Sequence, residues 1–303
     1  MKSITSNSIT WIDVEKPSEN DLGRLKESFH LHPYIIQQFL PPIHRPKIEE
    51  YPDQLFIVLH FPVHNPKTNQ IKLAELDFII TPNTLITSHI EKTPELETLF
   101  KDCELQDYHQ KKMFKSSGHL LMGVLDWLID RCLPMLDHIA EKVEQIENNV
   151  FEGKEKEMVT EIALVKRDLI DFRRAIKPQR SVLDILEKKS RRIFNPEVRP
   201  LAQEVVGSVI RVWNVLEGHR ELISSIEETN NSLLSYKLSD IMKFLTVVSF
   251  ITFPLSVIVG FFGMNIFGNV PIVEHSYTWI AILAFMAISS AIMVAYFRKK
   301  KWL

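Results

Sequence analysis

The sequence predicts an α+β domain of αβα-sandwich type, then long helices, then a C-terminal pair of membrane-spanning helices. Three observations predict it. Residues 1–112 hold β-branched and aromatic runs bounded by Pro, Asn and Asp, as strands do. From about Ser117 onward, apolar residues step by three and four, the helical period. Two long uncharged stretches close the chain, 244–273 with 30 positions and 276–297 with 22.

Taken in order, the strand-like runs are 9–14, 54–63, 71–81 and 84–90. Ser18-x-x-Asp21 ahead of LGRLKESF is a capping-box start for a helix. Pro94 opens another, PELETLFKDCEL, in the favoured first-turn position. Leu121, Leu125, Leu128, Cys132, Leu136, Ile139, Val143, Ile146 and Val150 form one apolar helical face. Glu152-Gly153 breaks it, and a second helical stretch follows to Ile193, so 113–194 reads as an antiparallel helical pair. Phe194-Asn195-Pro196 starts a third helix, and no strong breaker separates it from the first uncharged stretch. That helix is expected to enter the membrane as one rod of about 60 residues, roughly 90 Å long.

About 20 apolar residues cross a hydrocarbon core, which the segments 244–263 and 277–297 both satisfy. Lys237 and Lys243 precede the first and Arg298-Lys299-Lys300-Lys301 follows the second, while 264–276 contains no Lys or Arg. The positive-inside rule then places both chain ends in the cytoplasm and the short loop outside. The tail 298–303 is cytoplasmic on this reading, and no apolar signal segment is expected at the N-terminus.

Composition excludes several classes. Lys+Arg of 36 against Asp+Glu of 38 leaves a formal charge of −2, which offers no basic face for nucleic acid. Two cysteines argue against a disulfide framework. Mean hydropathy of −0.03 averages a polar front against an apolar end.

A seam runs down the long helix. Read backward it is Gly263, Gly260, Ser256, Phe253, Ser249, Thr246, Met242, Ser239, Ser235, Ser232 and Glu228, stepping by three and four throughout. Small, hydroxyl and thioether side chains in hydrocarbon face either another helix or water, and small residues are the usual packing surface between membrane helices. Two helices cannot enclose a pore. If the seam lines a conduit, several copies must form a ring with this span inward. Met242 and Leu245 are then the apolar constriction, or else packing residues.

The outer end of the span carries Phe262-Gly263-Met264-Asn265, with Met242-Lys243-x-Leu245-Thr246 entering and Phe253-Pro254-Leu255 in the middle. Trp11-Ile12-Asp13, His32-Pro33, Arg45-Pro46-Lys47 and a strand from Tyr51 to Leu59 stand upstream, and Arg-Lys-Lys-Lys-Trp-Leu ends the chain. In this setting the chain resembles the CorA family of magnesium transporters. The resemblance implies a homopentameric funnel in the cell (inner) membrane, passing divalent cations along its axis without enzymatic activity. Gly263, Met264 and Asn265 would form the selectivity filter, Asn265 meeting the ion. Ser239, Met242, Leu245, Thr246, Ser249, Phe253, Ser256 and Gly260 would line the pore. No catalytic cofactor is implied; Mg2+ is the expected cargo and a regulatory ion, with Co2+ or Ni2+ as further cargo. No Walker-type Gly-Lys-Ser/Thr occurs, in keeping with transport driven by the membrane potential.

Two departures from the family pattern stand out. The loop after the triplet usually contains Met-Pro-Glu-Leu, whereas here Pro271 is followed by Ile272, and Glu274 and His275 come next. Glu274 can supply a negative mouth, and His275 is a ligand acceptable to softer ions. A zinc transporter of the same superfamily, ZntB-like and proton-coupled, is therefore the alternative reading. The acidic pair that often follows His-Pro is here Gln37-Gln38, which predicts weaker magnesium feedback, with Glu204 and Glu228 as the remaining regulatory candidates. Asp137, Glu141, Glu144, Glu147 and Glu152 read as a solvated helix face. His60-x3-His64, beside Pro62 and without nearby Cys, does not read as a zinc site.

Overall fold

The computed structural model describes residues 1–39, 44–65, 70–264, 277–300 and 302. They fall into two compact units, Met1–Glu227 and Glu228–Leu303.

The first unit is built on one mixed sheet of six strands. These are β1 (Lys2–Ser6), β2 (Ile9–Glu15), β3 (Lys47–Tyr51), β4 (Gln54–Asn65), β5 (Gln70–Ile80) and β6 (Thr84–His89), in the spatial order β1-β2-β6-β5-β4-β3. Only β2 and β6 pair in parallel. A parallel pair needs a long crossover, and the segment between β2 and β6 supplies it with α1 (Glu19–Phe29), α2 (Pro33–Gln38) and three further strands. Ser18 caps α1 in a full capping box with Asp21, and His32 caps α2 ahead of Pro33.

Alternation along the strands sorts the sheet into two apolar faces, which explains its three layers. Ile12, Val14, Phe56, Val58, Ile79 and Ile86 meet Leu22 and Leu25 of α1 and Ile35 of α2 in one buried cluster. Their strand neighbours Trp11, Leu55, Ile57, Phe78 and Leu85 are buried on the opposite face. That second face is covered by α3 (Pro94–Leu105), α5 (Ser117–Asp130) and α7 (Glu155–Ile193); Trp11 meets Phe100 of α3 with ring centroids 4.9 Å apart. The αβα sandwich expected from the sequence is the observed fold. A short α4 (Asp107–Met113) joins α3 to α5. Both cysteines are buried and free, and burial pushes the Cys103 thiol up to about 12.

Three local readings change. Tyr51–Leu59 is not one strand. β3 and β4 form a hairpin around Pro52 and Asp53, and Asp53 sits at a left-handed φ of 56°. The helical face from Leu121 to Val150 belongs to two helices, α5 and α6 (Cys132–Phe151), parted at Arg131. Pro134 in the first turn of α6 cannot donate a backbone hydrogen bond, so a start just before it is the inexpensive arrangement. The third helix, α8, begins at Val198 and not at Phe194.

α6 and α7 form a hairpin through a turn at 152–154, where Gly153 takes a φ of 90°. α8 (Val198–Phe262) is a single helix of 65 residues that starts in the first unit and continues in the second. The second unit adds α9 (Thr278–Lys299). Among the described residues, α8 and α9 are the two helices long and apolar enough to cross a membrane, and their apolar windows are almost wholly exposed. Phe250, Phe253, Val257, Phe261, Leu283, Phe285 and Ile288 all lie open. An apolar surface of that extent demands a non-aqueous surrounding.

Candidate conduit surface and ion sites

Ser239, Met242, Thr246, Ser249, Phe253, Ser256 and Gly260 all lie on α8, where steps of three and four put them on one side, with Leu245 at its margin. Three of the hydroxyls along this stripe are already occupied as donors. Thr246 Oγ1 donates to the Met242 carbonyl at 2.7 Å, Ser249 Oγ to the Leu245 carbonyl at 2.9 Å, and Ser256 Oγ to the Thr252 carbonyl at 3.0 Å. A hydroxyl whose hydrogen is committed to its own helix presents oxygen lone pairs outward. The stripe therefore offers acceptors, which suits cations and water about cations. Between the hydroxyls stand exposed Met242, Leu245 and Phe253.

At the far end of α8, Gly263 N–H donates to the Val259 carbonyl at 2.9 Å and Met264 N–H to the Phe261 carbonyl at 3.3 Å. A Cβ at Gly263 would stand 3.0 Å from the Val259 oxygen, so the close backbone approach here favours glycine. Asn265, Glu274 and His275 lie outside the described residues.

Glu204 is exposed at the mouth of a cavity of about 560 Å3 in the first unit, whose lining also includes Asp126, Asp130 and Glu197. Burial above all, then Asp130, raises the Asp126 carboxyl above the usual carboxylate range, although the Ser208 hydroxyl donates to it at 3.2 Å. Lys112 and Lys115 share the cavity and oppose this negative charge. Glu228 is exposed and does not line it. Asp126 and Asp130 were legible as a lone i, i+4 acidic pair on the otherwise apolar α5, but only the fold brings them to Glu204.

Gln37 is exposed, and Gln38 accepts from Lys47 Nζ, which also pairs with Glu49 at 2.9 Å. Despite burial, which works the other way, hydrogen bonds from Lys47 and Tyr51 keep Glu49 below the usual carboxylate range. An ammonium group thus already serves the carboxylate nearest Gln38. His60 Nε2 bonds the His44 carbonyl at 2.8 Å and lies 3.5 Å from Glu75, while His64 lines a different cavity with Asp168. Among the described residues no group of three or more His, Cys, Asp or Glu is arranged to hold a metal ion.

The family described as CorA-like Mg2+ transporter protein matches residues 6–299, nearly the whole chain. The chain belongs to the CorA-like family. Among its relatives, the cobalt/magnesium transport protein CorA of Thermotoga maritima is 28% identical over 301 residues, covering 98% of this chain and 84% of that protein. The zinc transport protein ZntB of Yersinia pestis is 23% identical over 260 residues, covering 86% of this chain and 77% of that one. In fold, the complete structure of the CorA magnesium transporter from Methanocaldococcus jannaschii superposes with a TM-score of 0.86 at 23% identity, covering 100% of this chain and 95% of that chain. This CorA-like chain thus shares the full architecture, α8 and α9 included.

Proposed function

We propose that the protein is one subunit of a homopentameric, passive channel for divalent cations, with Mg2+ as the principal cargo. Family membership supports cation transport, and the CorA relatives named for cobalt and magnesium support the choice of ion. The observation that carries the reading is the acceptor surface on α8, with its hydroxyl hydrogens turned back into the helix. Five copies with this stripe inward surround a path of lone pairs broken by rings of Met242, Leu245 and Phe253, which can close by dewetting.

Magnesium gives up its water reluctantly and demands near-octahedral oxygen at short distance. A filter that grips the hydrated ion through neutral dipoles avoids that cost. On this reading Asn265 side-chain oxygens and the Gly263 carbonyls form the ring, with Met264 between them and Gly260 one turn below. Glu274 and His275 stand at the outer mouth. Both termini are cytoplasmic in the cell membrane, so the potential drives influx: a divalent charge crossing 100 mV gains about 4.6 kcal/mol. Glu204 and Glu228 are the regulatory acids. With Gln37 and Gln38 in place of an acidic pair, and Lys47 beside Gln38, feedback by internal Mg2+ is weak.

The test is ion flux into proteoliposomes holding the purified full chain, with magnesium- and zinc-sensitive dyes and an imposed voltage. Voltage-driven magnesium influx lost in Asn265→Ala supports the channel and its filter. Zinc influx without magnesium influx, stimulated by a proton gradient, overturns the reading in favour of a ZntB-like carrier.

A further inference from the structure

The second unit contains a groove between α8 and α9 at the end that bears the basic tail. Its volume is about 600 Å3, within the range of ligand-sized pockets. Phe250 of α8, with Thr246 beside it at the margin of the hydroxyl stripe, forms one wall, Met293 and Phe297 of α9 the other, and Lys300 and Trp302 close the end. Backbone hydrogen bonds to the last turn of α9 hold that end. Lys300 N–H donates to the Tyr296 carbonyl at 3.1 Å, and Trp302 N–H to the Phe297 carbonyl, also at 3.1 Å. The Trp302 ring then stacks on Phe297 with centroids 5.9 Å apart and planes 28° from parallel.

The groove is thus apolar along its length and cationic at its rim. Among the described residues, Arg298, Lys299 and Lys300 have no carboxylate within ion-pair distance, and Asp240, the last acid on α8, is paired with Lys243 at 2.9 Å. α9 contains no acid at all. A second copy of either helix laid into the groove would bring more apolar surface, but its nearest acid, Asp240, is already paired with Lys243, leaving no free anion for the rim. A phospholipid brings both.

We propose that the groove holds an acyl chain of an anionic phospholipid from the leaflet next to the basic tail, with the lipid phosphate at Lys300. The chain runs along Phe250, Met293 and Phe297, and Trp302 sits at the interfacial depth where amphipathic rings are enriched. This rests on α8 and α9 spanning the bilayer, but not on ion transport, and its readout requires no flux.

Trp302 is the reporter. The full chain carrying Trp279→Phe is reconstituted in phosphatidylcholine bilayers with a small fraction of either brominated phosphatidylglycerol or brominated phosphatidylcholine. The part of the fluorescence that disappears in Trp302→Phe is assigned to Trp302. Half-maximal quenching by the brominated anionic lipid is expected at about fivefold lower mole fraction than by the zwitterionic one, as about 1 kcal/mol per basic side chain near an anionic surface implies. Lys300→Gln should reduce the preference below about twofold, and Met293→Phe, which narrows the groove, should weaken quenching by both lipids. Equal quenching by the two lipids in the parent, or an undiminished preference in Lys300→Gln, overturns the proposal. So does failure of either lipid to quench while Trp302→Cys cross-links to a second copy, because the occupant is then protein.

Discussion

Replacing Thr87 by valine tests the polar network sealed beneath the second face of the sheet. Thr87 Oγ1 accepts from Trp11 Nε1 at 3.1 Å and donates to Asp13 Oδ1 at 2.7 Å, and all three residues are almost fully buried. Valine keeps the shape of threonine, so no cavity opens and the whole effect is polar. It orphans the Trp11 N–H and removes a donor from the Asp13 carboxylate, each at about 1–3 kcal/mol. The expected loss is about 4 kcal/mol, or about 10 °C in the unfolding midpoint of a unit this size. Thr87→Ser keeps both hydrogen bonds and loses one methyl, at about 1 kcal/mol. The assay is thermal unfolding of the purified full chain by calorimetry, with the three proteins side by side. A valine variant within about 1 kcal/mol of the parent, or a serine variant more damaging than valine, would refute the reasoning.

The same network predicts a pH dependence. The His89 ring is fully enclosed, with Nε2 3.6 Å from Asp13 Oδ2 and Nδ1 2.7 Å from the Glu91 carbonyl. Burial pulls its pKa down, but the Asp13 carboxylate more than offsets this and the net shift is upward from 6.5. A raised folded value contributes stability that is complete below 6.5 and lost as pH rises through the folded value. The unfolding midpoint should therefore fall on going upward from pH 6.5, and His89→Gln should remove that slope. On the conduit, Ser249→Val removes one acceptor per subunit without altering helix length and should slow magnesium influx severalfold in liposomes; an unchanged rate would take that face of α8 out of the pathway. For regulation, influx should persist at millimolar internal Mg2+ and Glu204→Gln should change it little. Closure at that concentration, relieved by the substitution, would contradict the weak-feedback reading.

Elements whose signal is local were legible in the sequence. α3 begins at Pro94 and ends at Leu105 as its residues suggest, and the Ser18–Asp21 box caps α1. β2, β4, β5 and β6 follow their β-branched runs to within two residues. The two edge strands were not legible. β1 (Lys2–Ser6) and β3 (Lys47–Tyr51) are short and polar, and become strands only because β2 and β4 offer hydrogen-bonding edges. The parallel β2–β6 pairing joins residues more than 70 positions apart, beyond any periodicity. The division between α5 and α6 hid because apolar spacing continues across Arg131 while the helical hydrogen bonds are interrupted. That the seam residues share one side of α8 was visible, since one helix carries them. The cavity around Glu204 was only partly visible, since Asp126 and Asp130 arrive from another helix.

The inward-turned hydroxyls of α8 also bear on biogenesis. Thr246, Ser249, Thr252 and Ser256 satisfy their hydrogens within one chain, before any neighbour is present. A membrane segment with no unpaired donor is stable against lipid as it stands. If α8 enters the bilayer as proposed, these four hydroxyls need no neighbouring subunit to be satisfied there. On the proposed pentameric reading, the face can pass from lipid to water as subunits assemble without rearranging any of these four hydrogen bonds.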